Sequence, residues 1–307
     1  MALHRLASIT VGVPDVAGVA AYYSDFGLYQ VQPGRFATSD GGEQLRIEYA
    51  PSRRLLGLEI GVDSLDDIMR AARKLELFGV ASRQSFDSLT AVEPVTGVKA
   101  TLRVSAHVVQ PPVPATAYNG PGRIDRPNVR APGIIREGPV RPRKLGHVVI
   151  GSTDEEATRG FFCDGLGLKL TERIPGLAAF LRCSSDHHNL LVQAAPVNFL
   201  HHTAWQVDDV DDVGRGAMAM LEGNPERHVW GLGRHHSGSN FFWYLKDPAG
   251  NFSEYYSDLD EIVDDQLWKP EPVENVGSLF SWGPPPPPSF LRPEDLAALM
   301  TGSHSAG

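Results

Sequence analysis

The chain contains an internal repeat, which constrains its fold more tightly than any single motif. The stretch from Leu6 to Leu28 matches the stretch from Leu145 to Leu168 in its apolar, acidic and Gly-Leu positions. A second stretch, Val62 to Ile68, matches Val207 to Val213 with the same spacing. Self-similarity of this kind indicates that one structural design is used twice. A fold proposed for one half must therefore suit the other half as well.

Each half carries a pattern of strands interrupted by a helix. An apolar alternating strand is followed by an acidic residue. Apolar positions spaced three and four apart come next, which is typical of a helix, and further strands follow the helix. Short polar side chains that can cap free amide groups stand at the helix starts: Asp15, Thr153 or Asp154, and Asp208 or Asp209. The pattern predicts an α+β fold with two domains, each built from a pair of βαβββ modules.

The composition along the chain predicts where these domains begin and end. Residues 1–110 form the first domain, and residues 111–142, rich in Pro, Gly and Arg, form a linker that crosses the surface. Residues 143–262 form the second domain, and residues 263–307 form a C-terminal extension. Five consecutive prolines predict that the tail of this extension, from Gly283 onward, is an extended arm, in which residues 294–300 form one short helix or no regular structure.

Charge and hydropathy exclude several classes of function. The net charge of −9 over 307 residues argues against a nucleic-acid partner, which requires clustered Lys and Arg. The chain has no run of about 18 apolar residues for a membrane span and no export signal at its N-terminus. Cys163 and Cys183 cannot form a disulfide framework and lack the spacing of a zinc site. We therefore expect a cytoplasmic protein with no membrane partner.

Three strand-like segments of the second half each carry a side chain that can bind a metal: His147, His202 and Glu254. Because side chains alternate along a strand, the apolar neighbours of each residue direct it toward a shared cavity. Two histidines and one carboxylate form the facial set that binds non-haem Fe(II) and leaves adjacent positions open. The ligand set does not separate Fe(II) from Mn(II), which remains the alternative metal.

The first half provides an internal control for this hypothesis. Its residues at the corresponding positions are Ser8, Gly57 and, near the third position, Thr101. None of these can replace an imidazole or a carboxylate as a strong ligand. The strand scaffold is therefore expected to fold without the metal-binding set, which argues that the set is present for chemistry.

Residues 1 to about 262 resemble the type I extradiol ring-cleaving dioxygenases of the vicinal oxygen chelate superfamily, among them the dihydroxybiphenyl and homoprotocatechuate enzymes. That family combines a metal-free N-terminal domain with an iron-bearing C-terminal domain. The motifs that carry the resemblance are Leu145-Gly146-His147, Phe180-Leu181-Arg182-Cys183 followed by His187-His188, Leu200-His201-His202, Gly233-Arg234-His235, Tyr244, and Asp247-Pro248 through Glu254.

The resemblance implies roles for individual residues. It makes His147, His202 and Glu254 the iron ligands, and it makes the second residue of the His187-His188 pair the distal acid/base. His188 is preferred to His187 because the strand pattern resumes directly after it.

The resemblance also implies that His235 and Tyr244 bind the substrate and assist catalysis, and that Val149 and Phe180 line an aromatic pocket. His201 is expected to point to the opposite face of its strand from the metal site and to be structural.

The substrate class is inferred from the residues around this pocket. Trp243, Phe241 and Trp268 are expected to add apolar walls, which suit a catechol with a hydrophobic or second-ring substituent. Trp230 stands where the homoprotocatechuate type carries an arginine, which disfavours an acidic catechol.

Together these features predict extradiol cleavage of a catechol by insertion of both atoms of dioxygen, with a muconic semialdehyde-type product. The expected partners are a small-molecule catechol, dioxygen and further copies of the chain in a homo-oligomer. Two alternatives remain. One is a metal-dependent isomerase or lyase of the glyoxalase kind that does not use dioxygen. The other is a non-catalytic protein that binds an aromatic ligand.

Overall fold

A computed structural model describes residues 2–270, 279–292, 294–296 and 299. The first half forms an eight-stranded mixed sheet. Its elements are β1 (Leu3–Val13), α1 (Val16–Asp25), β2 (Tyr29–Gln32), β3 (Arg35–Thr38), β4 (Gly42–Tyr49), β5 (Arg54–Val62), α2 (Leu65–Leu77), β6 (Ser82–Gln84), β7 (Ser88–Val92) and β8 (Lys99–Val104).

The second half forms a nine-stranded mixed sheet. After the short helix α3 (Pro132–Ile135), its elements are β9 (Lys144–Ser152), α4 (Glu155–Gly160) with a π-helical turn (Phe161–Leu166), β10 (Lys169–Ile174), β11 (Ala178–Arg182), β12 (Leu190–Ala194), β13 (Phe199–Gln206), α5 (Val210–Leu221), a 3-10 turn (Pro225–Arg227), β14 (His228–His235), β15 (Phe241–Lys246), β16 (Phe252–Ser257), β17 (Phe280–Trp282) and α6 (Pro288–Leu291).

The two sheets share one topology, which confirms the predicted α+β fold of paired βαβββ modules. The strand order is β2-β3-β4-β1-β5-β8-β7-β6 in the first sheet and β10-β11-β12-β9-β13-β16-β15-β14 in the second, where β17 adds an extra edge strand. In each sheet the two modules meet through an antiparallel central pair, β1 with β5 and β9 with β13. The metal candidates lie on this central pair and on the neighbouring β16.

The predicted helix starts are capped as the sequence indicates. The Asp15 carboxylate accepts a hydrogen bond from the Gly18 amide at the start of α1. Asp154, rather than Thr153, caps α4, and Asp209, rather than Asp208, caps α5. These side chains satisfy amide groups that the first helical turn leaves free.

The two halves pack tightly against each other through α1. The rings of Phe26 and Tyr255 stack with centroids 3.9 Å apart, and the Tyr255 hydroxyl donates to the Phe26 carbonyl at 2.6 Å. The Tyr23 hydroxyl lies 3.0 Å from Thr203 Oγ1. Because Tyr255 and Thr203 belong to β16 and β13, the first half supports the strands that carry the candidate site.

The segment between the sheets is mostly exposed and contains an isolated bridge between Gly120 and Arg123 and the single turn of α3. Arg136, just after α3, pairs with Asp209 at 2.8 Å and with Asp212 at 2.7 Å, which fastens the segment to the start of α5. Among the described residues, no helix combines the length and apolar character that a membrane crossing requires.

The prediction that the tail from Gly283 is an extended arm is wrong at residues 288–291, which form helix α6 with Phe290 buried against the second sheet. Just before this tail, strand β17 pairs with β14. Of residues 294–300, only 294–296 and 299 are described; there the Leu299 amide donates to the Asp295 carbonyl at 2.9 Å. The proline run does not predict the packing of Phe290 because the residues that it contacts lie on strands far away in the sequence.

Candidate active site

Three metal-capable side chains converge on one face of the second sheet. His147 on β9, His202 on β13 and Glu254 on β16 are all buried. His147 Nε2 lies 3.1 Å from Glu254 Oε2 and 3.3 Å from His202 Nε2, and His202 Nε2 lies 3.5 Å from the same carboxylate oxygen. The structure thus brings together the three residues that the sequence pattern selects.

The strand register explains this convergence. Ala204 of β13 lies opposite His147 of β9 on one side and opposite Glu254 of β16 on the other. Paired residues on adjacent strands share a face of the sheet, and His202 shares it with Ala204 because they are two positions apart. All three side chains therefore project to the same side.

The donor set fits a divalent cation. Among the described residues, Glu254 Oε2 is buried without a hydrogen-bond partner, which is costly for a carboxylate unless a cation compensates it. Two ligands about 2.1 Å from one ion and at right angles to each other are about 3 Å apart, close to the separations observed here. Burial, followed by the nearby imidazoles, holds the pKa of His202 well below its ordinary value, which keeps the ring neutral and able to bind a metal.

Asn240 fixes the orientation of the carboxylate and was not anticipated from the sequence. Its side-chain amide donates to Glu254 Oε1 at 3.0 Å, so the other carboxylate oxygen, Oε2, is the one that faces the two histidines. Asn240 lies in the turn between β14 and β15. The sequence of this turn is that of an ordinary hairpin loop. Only the position of His235 and Tyr244 on the flanking strands hints that this turn lies near the site.

His188 lies beside the three candidate ligands, whereas His187 lies behind them. The His188 ring lines the cavity, with its centroid 4.1 Å from that of His147. His187 is fully buried, contacts the Trp268 ring, and places its Nδ1 3.0 Å from His188 Nδ1. Burial, with the neighbouring imidazoles, lowers the pKa of His188 well below its ordinary value. This placement agrees with the preference for His188.

His235 and Tyr244 form a hydrogen-bonded pair in the cavity wall. His235 Nδ1 lies 2.8 Å from the Leu279 carbonyl, and His235 Nε2 lies 2.9 Å from the Tyr244 hydroxyl. Since a carbonyl only accepts, Nδ1 donates to it, and Nε2 of the neutral ring then accepts from Tyr244. Burial and the nearby Glu254 raise the pKa of Tyr244 well above its ordinary value, so the phenol keeps its proton.

The expectation that His201 faces away from the site is wrong. The pairing of β13 with β9 shifts by one residue between Leu200 and His202, which is a β-bulge. Both His201 and His202 therefore lie beside the cavity, with their Nδ1 atoms 2.7 Å apart. Simple alternation along the strand fails at the bulge, and the sequence carries no turn or glycine signal that marks it.

The cavity above the cluster is apolar and small. Val149 and Phe180 line it as expected, and Trp230 also lies in its wall. The remaining apolar lining residues were not predicted from the sequence: Ile174, Ala178, Leu191, Leu279, Phe290 and Leu291. None of the described lining residues is Arg, Lys, Asp or Glu. The cavity volume is about 120 Å³.

Three aromatic residues expected in this wall lie elsewhere. Phe241 and Trp243 alternate with Phe242 and Tyr244 along β15, so they face the opposite side of the sheet and pack against the main core. Trp268 contacts His187, not the cavity.

Comparisons with known proteins agree with this geometry. Residues 144–255 match the family described as the Glyoxalase/Bleomycin resistance protein/Dioxygenase superfamily. Metapyrocatechase 2 from Cupriavidus necator is 36% identical over 186 residues, which cover 59% of this chain and 58% of that protein. An iron-dependent extradiol dioxygenase from Rhodococcus jostii (strain RHA1) is 32% identical over 40% of this chain and 46% of its own length. The chain thus spans about half the length of these curated relatives.

A solved structure resembles nearly the whole chain. The Mn(II)-bound glyoxalase from Novosphingobium aromaticivorans superposes with a TM-score of 0.71 at 24% identity, covering 92% of this chain and 91% of that chain. At this identity the likeness shows a shared fold. Residues 144–255, which carry all three candidate ligands, are thus similar to the glyoxalase/bleomycin resistance protein/dioxygenase superfamily, and the similar proteins include an iron-dependent extradiol dioxygenase.

Proposed function

We propose that this protein is an extradiol dioxygenase that opens a catechol ring next to its diol and inserts both atoms of dioxygen, giving a muconic semialdehyde-type product. One observation carries the proposal: His147, His202 and Glu254 meet at a buried point beside a cavity that also exposes His188 and Tyr244. The similarity to metapyrocatechase 2 and to an iron-dependent extradiol dioxygenase supports the reaction class.

The metal that we propose is Fe(II), with Mn(II) as the alternative. Bound by His147, His202 and Glu254, either ion would supply adjacent coordination positions that bring a diol and dioxygen together. A divalent ion held by two neutral imidazoles and one carboxylate would keep a net positive charge. That charge favours a catechol that has lost a proton. The name of the Rhodococcus relative supports iron, and that of the Novosphingobium structure supports manganese.

The protein's own residues move and hold protons around the substrate. His188 is neutral because burial depresses its pKa, so it can accept a proton that leaves the substrate and return it later. The Tyr244 hydroxyl donates to His235 and therefore presents its oxygen lone pairs to the cavity, where they can accept a hydrogen bond from a diol hydroxyl. His235 holds Tyr244 in that orientation.

The walls favour a neutral, hydrophobic catechol. The described lining residues offer no guanidinium or ammonium group to a substrate carboxylate, and Trp230 lies in the wall. A cavity of about 150 Å³ holds a benzene ring, so the volume of about 120 Å³ must widen slightly even for a single-ring catechol. A second-ring substituent would require Phe290 or Leu291 to move aside.

The proposal is tested by anaerobic purification, loading with Fe(II) or Mn(II), and addition of catechol, 3-methylcatechol, 2,3-dihydroxybiphenyl and 3,4-dihydroxyphenylacetate. We expect oxygen uptake and the absorbance of a ring-opened product with the neutral catechols, and at least about tenfold lower kcat/KM with the carboxylate-bearing one. Absence of uptake with every catechol at full metal occupancy would contradict the proposal. Turnover of a chelating substrate under argon would favour the glyoxalase-like alternative, and tight binding of an aromatic ligand without turnover would favour the binding-protein alternative.

We further propose a cytoplasmic location, a homo-oligomer and the domain limits 1–110, 111–142, 143–262 and 263–307. Light scattering of the purified chain tests the oligomer, and a monomeric mass at micromolar concentration would contradict it.

A further inference from the structure

Two pairs of adjacent histidines border the cavity and share one geometry. In the pair His201-His202 the two Nδ1 atoms are 2.7 Å apart, and in the pair His187-His188 they are 3.0 Å apart. In each pair the second ring is the one with a proposed chemical role, and the first ring makes a further contact through its Nε2 atom. The direction of these hydrogen bonds determines which nitrogen of the second ring carries a hydrogen.

The chain of hydrogen bonds through His201 begins at the C-terminal extension. His201 Nε2 lies 2.7 Å from the backbone carbonyl oxygen of Phe290. A carbonyl oxygen only accepts hydrogen bonds, so His201 Nε2 must carry a hydrogen and donate it.

The second nitrogen of His201 then acts as an acceptor. The ring is buried between Phe252, Phe290 and His202, and its two hydrogen-bond partners are a carbonyl and another imidazole. Neither partner offsets a buried positive charge, which favours the neutral ring. A neutral imidazole with a hydrogen on Nε2 has a lone pair on Nδ1, so His202 Nδ1 must donate to it.

This direction leaves the lone pair of His202 on Nε2. That atom lies 3.3 Å from His147 Nε2 and 3.5 Å from Glu254 Oε2. The opposite tautomer would place a hydrogen between these groups and block the site.

We propose that His201, anchored by the Phe290 carbonyl, is a positioning residue that fixes His202 in the tautomer required for metal binding. The C-terminal extension thereby contributes to metal affinity without contributing a ligand. The proposal rests on His202 as a ligand and is independent of the reaction that follows metal binding.

The other histidine pair lacks this anchor. His187 Nε2 lies 3.4 Å from Glu172 Oε2, and among the described residues neither atom has a hydrogen-bond partner. No backbone carbonyl of the described residues accepts from His187 Nε2, so this pair serves as the comparison for the first.

The first test measures the affinity of the protein for Mn(II), with free Mn(II) followed by electron paramagnetic resonance. His201→Leu removes both hydrogen bonds and should raise the Kd by about 10- to 100-fold, the usual effect of losing such a supporting contact. His201→Gln keeps one acceptor and one donor and should restore the Kd to within about threefold of the wild type. His187→Leu is the matched control, because it removes the equivalent ring from the other pair and should leave the Kd unchanged. An unchanged Kd in His201→Leu, or an equal loss in His187→Leu, would contradict the proposal.

The second test observes the tautomers directly in the metal-free protein. Nitrogen-15 NMR of the wild type should show a hydrogen on Nδ1 and none on Nε2 of His202, and His201→Leu should convert His202 to a mixture of both forms. A hydrogen on His202 Nε2 in the wild type overturns the proposal, even if a variant fails to fold. Failure of the ring-cleavage reaction would leave both of these results intact, so the two proposals fail separately.

Discussion

The two halves of the molecule build equivalent clefts from equivalent strands but line them with different chemistry. In the first sheet, Thr10 pairs with Gly57 and Glu59 pairs with Thr101. In the second sheet the corresponding pairs are Val149 with His202 and Ala204 with Glu254. The register thus places Ser8, Gly57 and Thr101 where the second half has His147, His202 and Glu254, as the repeat predicted.

Even the β-bulge is shared, since the pairing of β1 with β5 shifts at Leu56 as the pairing of β9 with β13 shifts at His201. The first cleft, however, is lined by charged side chains, among them Arg46, Glu48 and Lys99. The comparison teaches that both halves share the geometry of a cleft, while the residues at three candidate ligand positions and in the surrounding wall give each cleft a different chemical character.

The largest expected difference between the halves is in metal retention. Glu254→Gln keeps the shape of the side chain but removes the charge that a divalent ion requires, so metal content should fall from one ion per chain to less than about a tenth. Thr101→Ala at the equivalent place in the first half should retain one ion per chain. Elemental analysis after gel filtration measures both, and equal metal contents would remove the basis of the comparison.

The halves also depend on each other for stability. Arg53, from the segment before β5, is buried and forms a two-point ion pair with Asp295 at 2.7 and 2.8 Å, and it also donates to the Leu200 carbonyl. Asp295→Ala leaves this guanidinium without its carboxylate and should lower the free energy of unfolding by about 3 kcal/mol. Arg46→Ala breaks an exposed pair with Glu43 and should cost less than about 1 kcal/mol. Urea unfolding compares the two; an equal loss would contradict the role of Arg53 as a link.

The residue at the bulge should give the halves a different response to acid. Burial lowers the pKa of His201 from 6.5 to about 4. Between these pH values His201 is protonated in the unfolded chain but not in the folded chain. The contribution of neutral His201 to the free energy of unfolding is present at pH 7 and is lost as the pH falls from 6.5 toward 4. The loss reaches roughly 2 kcal/mol at pH 5. His201→Leu, which installs the residue of the first half, should lack this part of the loss. Urea unfolding of metal-free protein at pH 7 and pH 5 measures it; identical pH dependence in both proteins would refute the assignment.

The smallest effect is expected at a second group of metal-capable side chains in the first half. His4, Asp63 and His107 approach one another, but the two imidazoles are stacked at 4.1 Å with planes only 12° apart. Their lone pairs therefore lie in nearly parallel, separate planes and do not converge on one ion. The wild type and His107→Ala should both hold one ion per chain, whereas two ions in the wild type and one in the variant would show that this group also binds.

The repeat, the βαβββ topology, the helix caps and the three converging ligands could all be predicted from the sequence. These features depend on periodicities of two and 3.6 residues and on short-range capping, which are visible along the chain itself. The internal comparison of Ser8 with His147 added a control that a single copy would not have given.

The position of His201, the amide of Asn240 beside Glu254 and the docking of Phe290 were decided by the tertiary structure. A bulge depends on how one strand pairs with another, and the contacts of Asn240 and Phe290 join residues whose approach is set by the pairing of whole strands. No local pattern records such pairings, because their free energy comes from partners far apart in the chain. The sequence by itself therefore determined which side chains are candidate metal ligands and which strands carry them, whereas the tertiary structure decided how those side chains are oriented and enclosed.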